Sequence, residues 1–210
     1  MRKGIIRTIL IVCLLVLLGV ASVFSTNIKD IMFQLGEKTR ELNNEKSDVI
    51  VVVDGTEILS KDLEILKASS DLAEREIDEA EAIDKLIEKQ LVYNAAIKSG
   101  IKVSESEVDK IIKQTKQALK EDDTANAQQM EYIDGLGISK EEYWEMVKPI
   151  YEKMLIMGEY KNNFIKKKFI EENNITDQKS IEKEYAEYFK EHIESLRDRA
   201  EIEYKVQRTE

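Results

Sequence analysis

The sequence is poor in the residues that build covalent staples and reactive centres. In 210 residues it has one cysteine, Cys13, one histidine, His192, one tryptophan, Trp144, and one proline, Pro149. A single cysteine excludes an intrachain disulfide, and Cys13 lies inside an apolar run. One histidine and no second cysteine are too few for the usual Cys and His ligands of a zinc site. A nucleophile needs a base within hydrogen-bond reach. His192, close to Glu191 and Glu194 on a charged stretch, reads instead as a solvated helix residue. Neither a G-x-G-x-x-G turn nor a P-loop occurs. Glu121-Asp122-Asp123 lacks the alternating oxygen ligands and the glycine of a calcium loop, and reads as a helix end. Lys166-Lys167-Lys168, followed by Glu171 and Glu172, reads as a wet helix end. The expectation is a non-enzyme with no catalytic residues, no metal and no cofactor.

What is present is charge and aliphatic bulk. Charged residues make up 35% and apolar ones 42%, with eight glycines, which is the composition of a helix-rich domain. Lys and Arg number 32 against 42 Asp and Glu, a formal charge of −10. The first 26 residues hold Arg2, Lys3 and Arg7 and no acid, so the remainder carries −13. Such a surface repels phosphate backbones, and nucleic acid is not expected as a partner.

Residues 1–26 are set apart. Three basic residues precede an uncharged stretch from Thr8 to Asn27 centred on Ile9, Leu10, Ile11, Val12, Leu14 and Leu15. About 20 such residues cross a bilayer core, and a basic flank stays inside. An uncleaved anchor fits this length; a cleaved signal peptide, with Val20 and Ser22 or Val23 and Ser25 at the cut, is the alternative. Val12 before Cys13 does not suit lipid attachment. Both main readings place the chain after Thr26 outside the cytoplasm, either anchored by a single pass or secreted. Residues 27–48 read as a polar spacer, with Ile28, Ile31, Met32 and Leu35 available for a short amphipathic turn.

Residues 49–210 read as one mainly helical domain. Val49–Val53 is a β-branched run and predicts a strand; Asp54-Gly55 predicts a turn, and Thr56–Leu59 a short extended continuation. A short helix follows Ser60, and a longer one spans 77–99 and stops at Gly100. Its apolar residues cover more than one stripe, as in a central helix packed on two sides. Ser104 with Glu107 and Ser139 with Glu142 form two capping boxes. The helix behind the first carries Val108, Ile111, Ile112, Thr115 and Leu119 at helical spacing; a weaker helix spans 124–133. The long helix behind the second contains Pro149, which predicts a kink. Asn173-Asn174 breaks it, and a last helix spans 177–199. After Ala200 the period changes: Ile202, Tyr204 and Val206 alternate with charged residues, which predicts a strand. A strand needs a partner for its backbone groups. The two ends of the domain are therefore expected to pair as a small two-stranded sheet.

These phrases, in this order, resemble the N-terminal chaperone domain of SurA-type and PrsA-type extracytoplasmic folding factors, related to the peptide-binding part of trigger factor. The resemblance rests on the opening Val51-Val52-Val53-Asp54-Gly55-Thr56-Glu57-Ile58-Leu59-Ser60, where Asp54 stands for the family's usual Asn. It also rests on the helix 82–100, on Ile101-Lys102-Val103-Ser104 with Glu107-Val108, and on Leu136-Gly137-Ile138-Ser139 with Tyr143-Trp144. It implies a membrane-anchored chaperone that binds unfolded or secreted polypeptides. A non-catalytic adaptor for one envelope partner is the alternative. A prolyl isomerase is implied by family association alone, since the chain leaves no room for the parvulin domain that usually carries that activity. The residues expected to hold client peptides are Tyr143, Trp144, Met146, Tyr151, Met154, Met157 and Tyr160, because methionine and aromatic side chains adapt to many partners. Packing of the same stripe in the core is the competing explanation.

Overall fold

The computed structural model describes residues 28–72, 75–173 and 178–205. The expected anchor or signal segment, 1–26, and with it the expected transmembrane helix, lies outside the described residues. Among the described residues no helix is long and apolar enough to cross a membrane.

The chain is mainly helical, with one small sheet. Strands β1, Val49–Val53, and β2, Thr56–Leu59, form a hairpin. Asp54 at φ 50° and Gly55 at φ 80° are both left-handed, the conformation that matches a two-residue turn to the twist of its strands. Strand β3, Ile202–Tyr204, pairs antiparallel with the other edge of β1, Val51 opposite Tyr204 and Val53 opposite Ile202. The expected union of the two ends is therefore present, but the sheet has three strands in the order β2-β1-β3, not two. The tight turn folds 56–59 back along β1, so the segment read as merely extended is a paired strand. Asp54 joins both ends to the body. Its N–H donates to Glu201 O at 2.8 Å, its Oδ1 accepts from Glu201 N at 3.0 Å, and its Oδ2 accepts from Lys98 Nζ at 2.7 Å. The Lys98 ammonium and the Glu201 N–H hold its carboxyl below the usual carboxylate range.

Residues Ile28–Asn44, within the segment read as spacer, form helix α1. Met32, Leu35, Thr39 and Leu42 are buried at helical spacing. Helix α2 is Ser60–Leu72 and α3 is Glu79–Lys98, capped by Asp78, whose Oδ1 accepts from Glu81 N at 2.7 Å. As expected of a central helix, α3 is buried on two sides. Ala82, Ile83, Ile87 and Leu91 join Val51, Val53, Ile58 and Leu63, whereas Val92, Ala95 and Ala96 join residues of the C-terminal helices.

Helices α4, Glu105–Glu121, and α6, Lys140–Glu159, each open on the expected capping box, with both reciprocal hydrogen bonds made. Between them lies α5, Asp123–Leu136. Asp122 ends α4 and caps α5, accepting from Ala125 N at 2.9 Å. Helix α5 meets α1 at two glycines. A Cβ on Gly36 would lie 2.3 Å from Tyr132 O, and one on Gly135 2.1 Å from Phe33 O. The two backbones touch there, which only residues without a side chain permit. Helix α6 runs through Pro149 and passes into a π-helical turn, Tyr160–Ile165, then α7, Lys166–Asn173. Helix α8, Gln178–Arg197, leads into β3.

His192 on α8 is not the solvated residue the sequence suggests. Its Nε2 is 2.8 Å from Tyr160 Oη, and the ring centres of Tyr160 and Phe189 lie 5.8 and 6.1 Å from its own. The neighbouring Tyr185 Oη donates to the carbonyl of Lys161 inside the π turn. The flanking glutamates drew attention to the charged side of α8, while His192 lies at the edge of the stripe begun by Ile181, Tyr185 and Phe189. Burial pushes its pKa down, and the charges of Arg199 and Lys168 push the same way.

Gly135→Ala destabilises the fold by about 1–3 kcal/mol through overpacking. Gly158→Ala, whose Cβ would meet only Asn162 Nδ2 at 4.0 Å, is neutral or stabilising; urea unfolding of both variants checks the contrast. A lowered His192 pKa means the unfolded chain takes the proton more readily. The stability this contributes is complete above the ordinary value of about 6.5 and is lost as pH falls below it. An NMR titration of the imidazole is expected to give a midpoint under that value; one at or above it contradicts the burial.

Candidate functional site

Helices α4 and α6 lie side by side because each hides one stripe. Val108, Ile112, Thr115 and Leu119 of α4 are buried, as are Tyr143, Val147 and Tyr151 of α6, with Ile133 and Leu136 of α5 in the same cluster. Lys110, Lys113, Lys116 and Lys120 of α4 lie off this buried stripe, all exposed. Along the seam runs a groove of about 290 Å³, lined by Asp109, Ile112, Lys113 and Lys116 of α4 and by Trp144, Glu145 and Lys148 of α6.

Two lysines of this groove are held in different ways. Lys148 Nζ lies 2.8 Å from Glu105 Oε1 and 3.0 Å from Asp109 Oδ1, and these carboxylates raise its pKa above the usual lysine range. Its charge is doubly neutralised, and it ties α6 to the first turn of α4. Lys116 instead places its Nζ 4.8 Å from the centre of the Trp144 ring, a cation–π contact. That indole also meets Tyr143 edge to face, with centroids 5.2 Å apart and planes at 75°. Lys113, Lys116 and Lys120 have no carboxylate within 4.0 Å among the described residues. The groove thus offers a partly exposed aromatic ring with unneutralised cations beside it.

The seven residues singled out from the sequence do not form one surface. Tyr143, Tyr151 and Tyr160 are only 5, 2 and 3% exposed and belong to the core. Met157 packs beside Ile156 and Tyr160, and Met154 is half-buried. Met146, 39% exposed, stands open near Ile150, and Trp144 alone lines the groove. Sequence reasoning missed the lysines of α4, although their i, i+3, i+7 spacing beside the Val108 stripe is readable. Whole-chain charge hid them. Residues 81–171 hold 15 Lys against 17 Asp and Glu, a balance of −2, so most of the acidic excess lies elsewhere. Among the described residues no group of three or more His, Cys, Asp and Glu could hold a metal ion.

The model of the mTERF family matches residues 81–171, rather less than half of the chain. No curated protein matches the chain. The matched segment begins in α3, contains α4, α5 and α6, and ends in α7, so it includes both walls of the groove. It also includes most of the phrases that resembled the SurA-type and PrsA-type chaperone domain, and that resemblance is corrected by the match. The reason is physical. Capping boxes and helix-ending glycines punctuate any array of short helices, and the two boxes here recur 35 residues apart, each after an apolar residue, Val103 or Ile138. The binding of unfolded polypeptides, the single-partner adaptor and the prolyl isomerase fall with that resemblance. The mTERF family consists of helical repeat proteins that bind nucleic acids, which overturns the exclusion of nucleic acid drawn from net charge. The extracytoplasmic, membrane-anchored placement is overturned by the same match. Segment 1–26, on which it also leaned, lies outside the described residues. What the matched segment is similar to is a family of helical, nucleic-acid-binding proteins.

Proposed function

We propose that this chain is a nucleic-acid-binding module and not an enzyme, and that the α4–α6 groove takes one unstacked base of a single strand. The observation that carries the reading is Trp144 set beside lysines without carboxylate partners, inside the segment similar to a nucleic-acid-binding family. Proteins that hold single strands combine aromatic faces for the bases with a basic track for the phosphates, and each stacked base contributes about 1–3 kcal/mol. A concave groove of about 290 Å³ suits one base. A duplex presents its bases to a protruding helix or ribbon, which this groove is not.

The residues divide the work. Lys116 covers the Trp144 ring in the unbound chain; an entering base displaces the ammonium from the ring toward the adjoining phosphate. Lys113, Lys116 and Lys120 span roughly 10 Å along α4 at the helical rise of 1.5 Å. That is about three phosphate steps of a stacked strand. Lys148, bound to Glu105 and Asp109, fixes the width of the groove and leaves no charge to spare. The remaining acidic surface repels the strand elsewhere, so binding is local, of modest affinity and sensitive to salt.

Because Trp144 is the only tryptophan, its emission reports the groove directly. A single-stranded oligonucleotide is expected to quench it saturably, with log K falling against log salt at a slope of about −2 for three phosphate contacts. Changing Lys113 and Lys116 together to Gln is expected to bring that slope to about −0.7 and weaken binding at least tenfold at low salt. Unchanged emission at low salt, with no retarded complex, contradicts the proposal.

A further inference from the structure

A second group of lysines is built into the other side of α6. Lys153 follows Trp144 by nine positions, and at about 100° per residue this turns it to the opposite face of the helix. There Lys153 Nζ donates to Gln90 Oε1 at 2.8 Å and lies 4.6 Å from the centre of the Tyr93 ring. Gln90, 5% exposed, donates from Nε2 to Asn94 Oδ1 at 2.7 Å, and Asn94 Nδ2 donates to the Val53 carbonyl of β1 at 3.2 Å. A relay of neutral amides thus anchors the Lys153 ammonium to the sheet. Lys89 stands one turn before Tyr93 on the same side of α3.

Neither Lys89 nor Lys153 has a carboxylate within 4.0 Å among the described residues, in a chain with 42 acidic side chains. Asp62, whose charge attracts both, accepts a hydrogen bond from Leu59 N at 3.1 Å. The Tyr93 hydroxyl has no hydrogen-bond partner among the described residues. Burial lowers the pKa of both ammonium groups, and Lys89 lowers that of Lys153 further. Lys89 and Lys153 repel each other, the single Asp62 carboxylate offsets only part of that for two cations, and an anion between them relieves the remainder.

We propose that Lys89, Lys153 and the Tyr93 hydroxyl form an oxyanion site that takes a phosphate group, separate from the Trp144 groove. The Lys153 ammonium lies over the Tyr93 ring, the exposed Lys89 leaves the same side of α3 one turn before that ring, and the Tyr93 hydroxyl is a neutral donor. Phosphate oxygens accept from all three. The group arrives either as a free phosphate or as the terminal phosphate of a strand.

The test uses the full chain and follows the side-chain amide signals of Gln90 and Asn94 by NMR at constant ionic strength. One titration adds inorganic phosphate and the other a 5′-phosphorylated oligonucleotide, with chloride as the control anion. Saturation by phosphate alone identifies a free-anion site; saturation by the oligonucleotide alone identifies a strand terminus. In either case Lys153→Gln and Lys89→Gln are expected to weaken binding about tenfold. Lys85→Gln, which removes a cation already paired with Glu81, leaves it unchanged. Tyr93→Phe gives a third variant should either lysine change unfold the chain. Shifts that stay linear in both titrations and equal in Lys153→Gln mean an adventitious ion only, and overturn the site. Trp144 emission, read in the same samples, responds to the groove and not to free phosphate, so the failure of one site is distinguishable from the failure of the other.

Discussion

Tyr143, Val147 and Tyr151 bury the first half of α6 against α4 and α5, while Ile156 and Tyr160 bury its end against α3 and the C-terminal helices. Each of these side chains contributes about 1.5–3 kcal/mol on leaving water, and together they fix the helix on two sides. The side chains left over then have fixed directions. Trp144 and Lys148 face α4, and Lys153 faces α3. A ligand meeting either face finds side chains already in place and loses less freedom in ordering them. The glycine crossing of α1 on α5 and the Asp54 junction of the two ends serve the same purpose at the periphery.

The electrostatics of the two faces differ in a way that net charge conceals. On the groove side Glu105 and Asp109 neutralise Lys148, so the unneutralised charge belongs to α4. On the other side Lys153 is held by an amide and a ring, and its charge is not neutralised at close range. An overall charge of −10 describes how the molecule repels a polyanion at long range. It says little about contact within a Debye length of about 8–10 Å, where the nearest lysines dominate.

Local signals in the sequence were legible and distant ones were not. The Ser104–Glu107 and Ser139–Glu142 boxes, Gly100, Gly137 and the valines of β1 act through neighbours within a few positions, and the elements they mark are where the spacing put them. The change of period after Ala200 located β3, and the backbone's need for a partner paired it with β1. Helix α1 depends for its burial on Gly135, about a hundred positions away, and β2 depends on the Asp54-Gly55 turn being tight enough to fold the chain back along β1, which marking a turn there does not show. His192 was misread because its nearest neighbours in sequence are acids, whereas its neighbours in space are Tyr160 and Phe189. The methionine and aromatic stripe leaves both a client surface and core packing open in the sequence, and three of its tyrosines are core. The chaperone resemblance failed for a related reason: helix punctuation records where helices start and stop, not what their outer faces touch.

The proposed site lays a single strand across α4 and α6 with a base against Trp144. Photo-crosslinking an oligonucleotide substituted with 5-bromouracil to the full chain, followed by mass spectrometry of the adducts, tests it directly. Adducts are expected on Trp144 and on the lysines of α4 beside it. Adducts confined to other parts of the chain, or none, would contradict it.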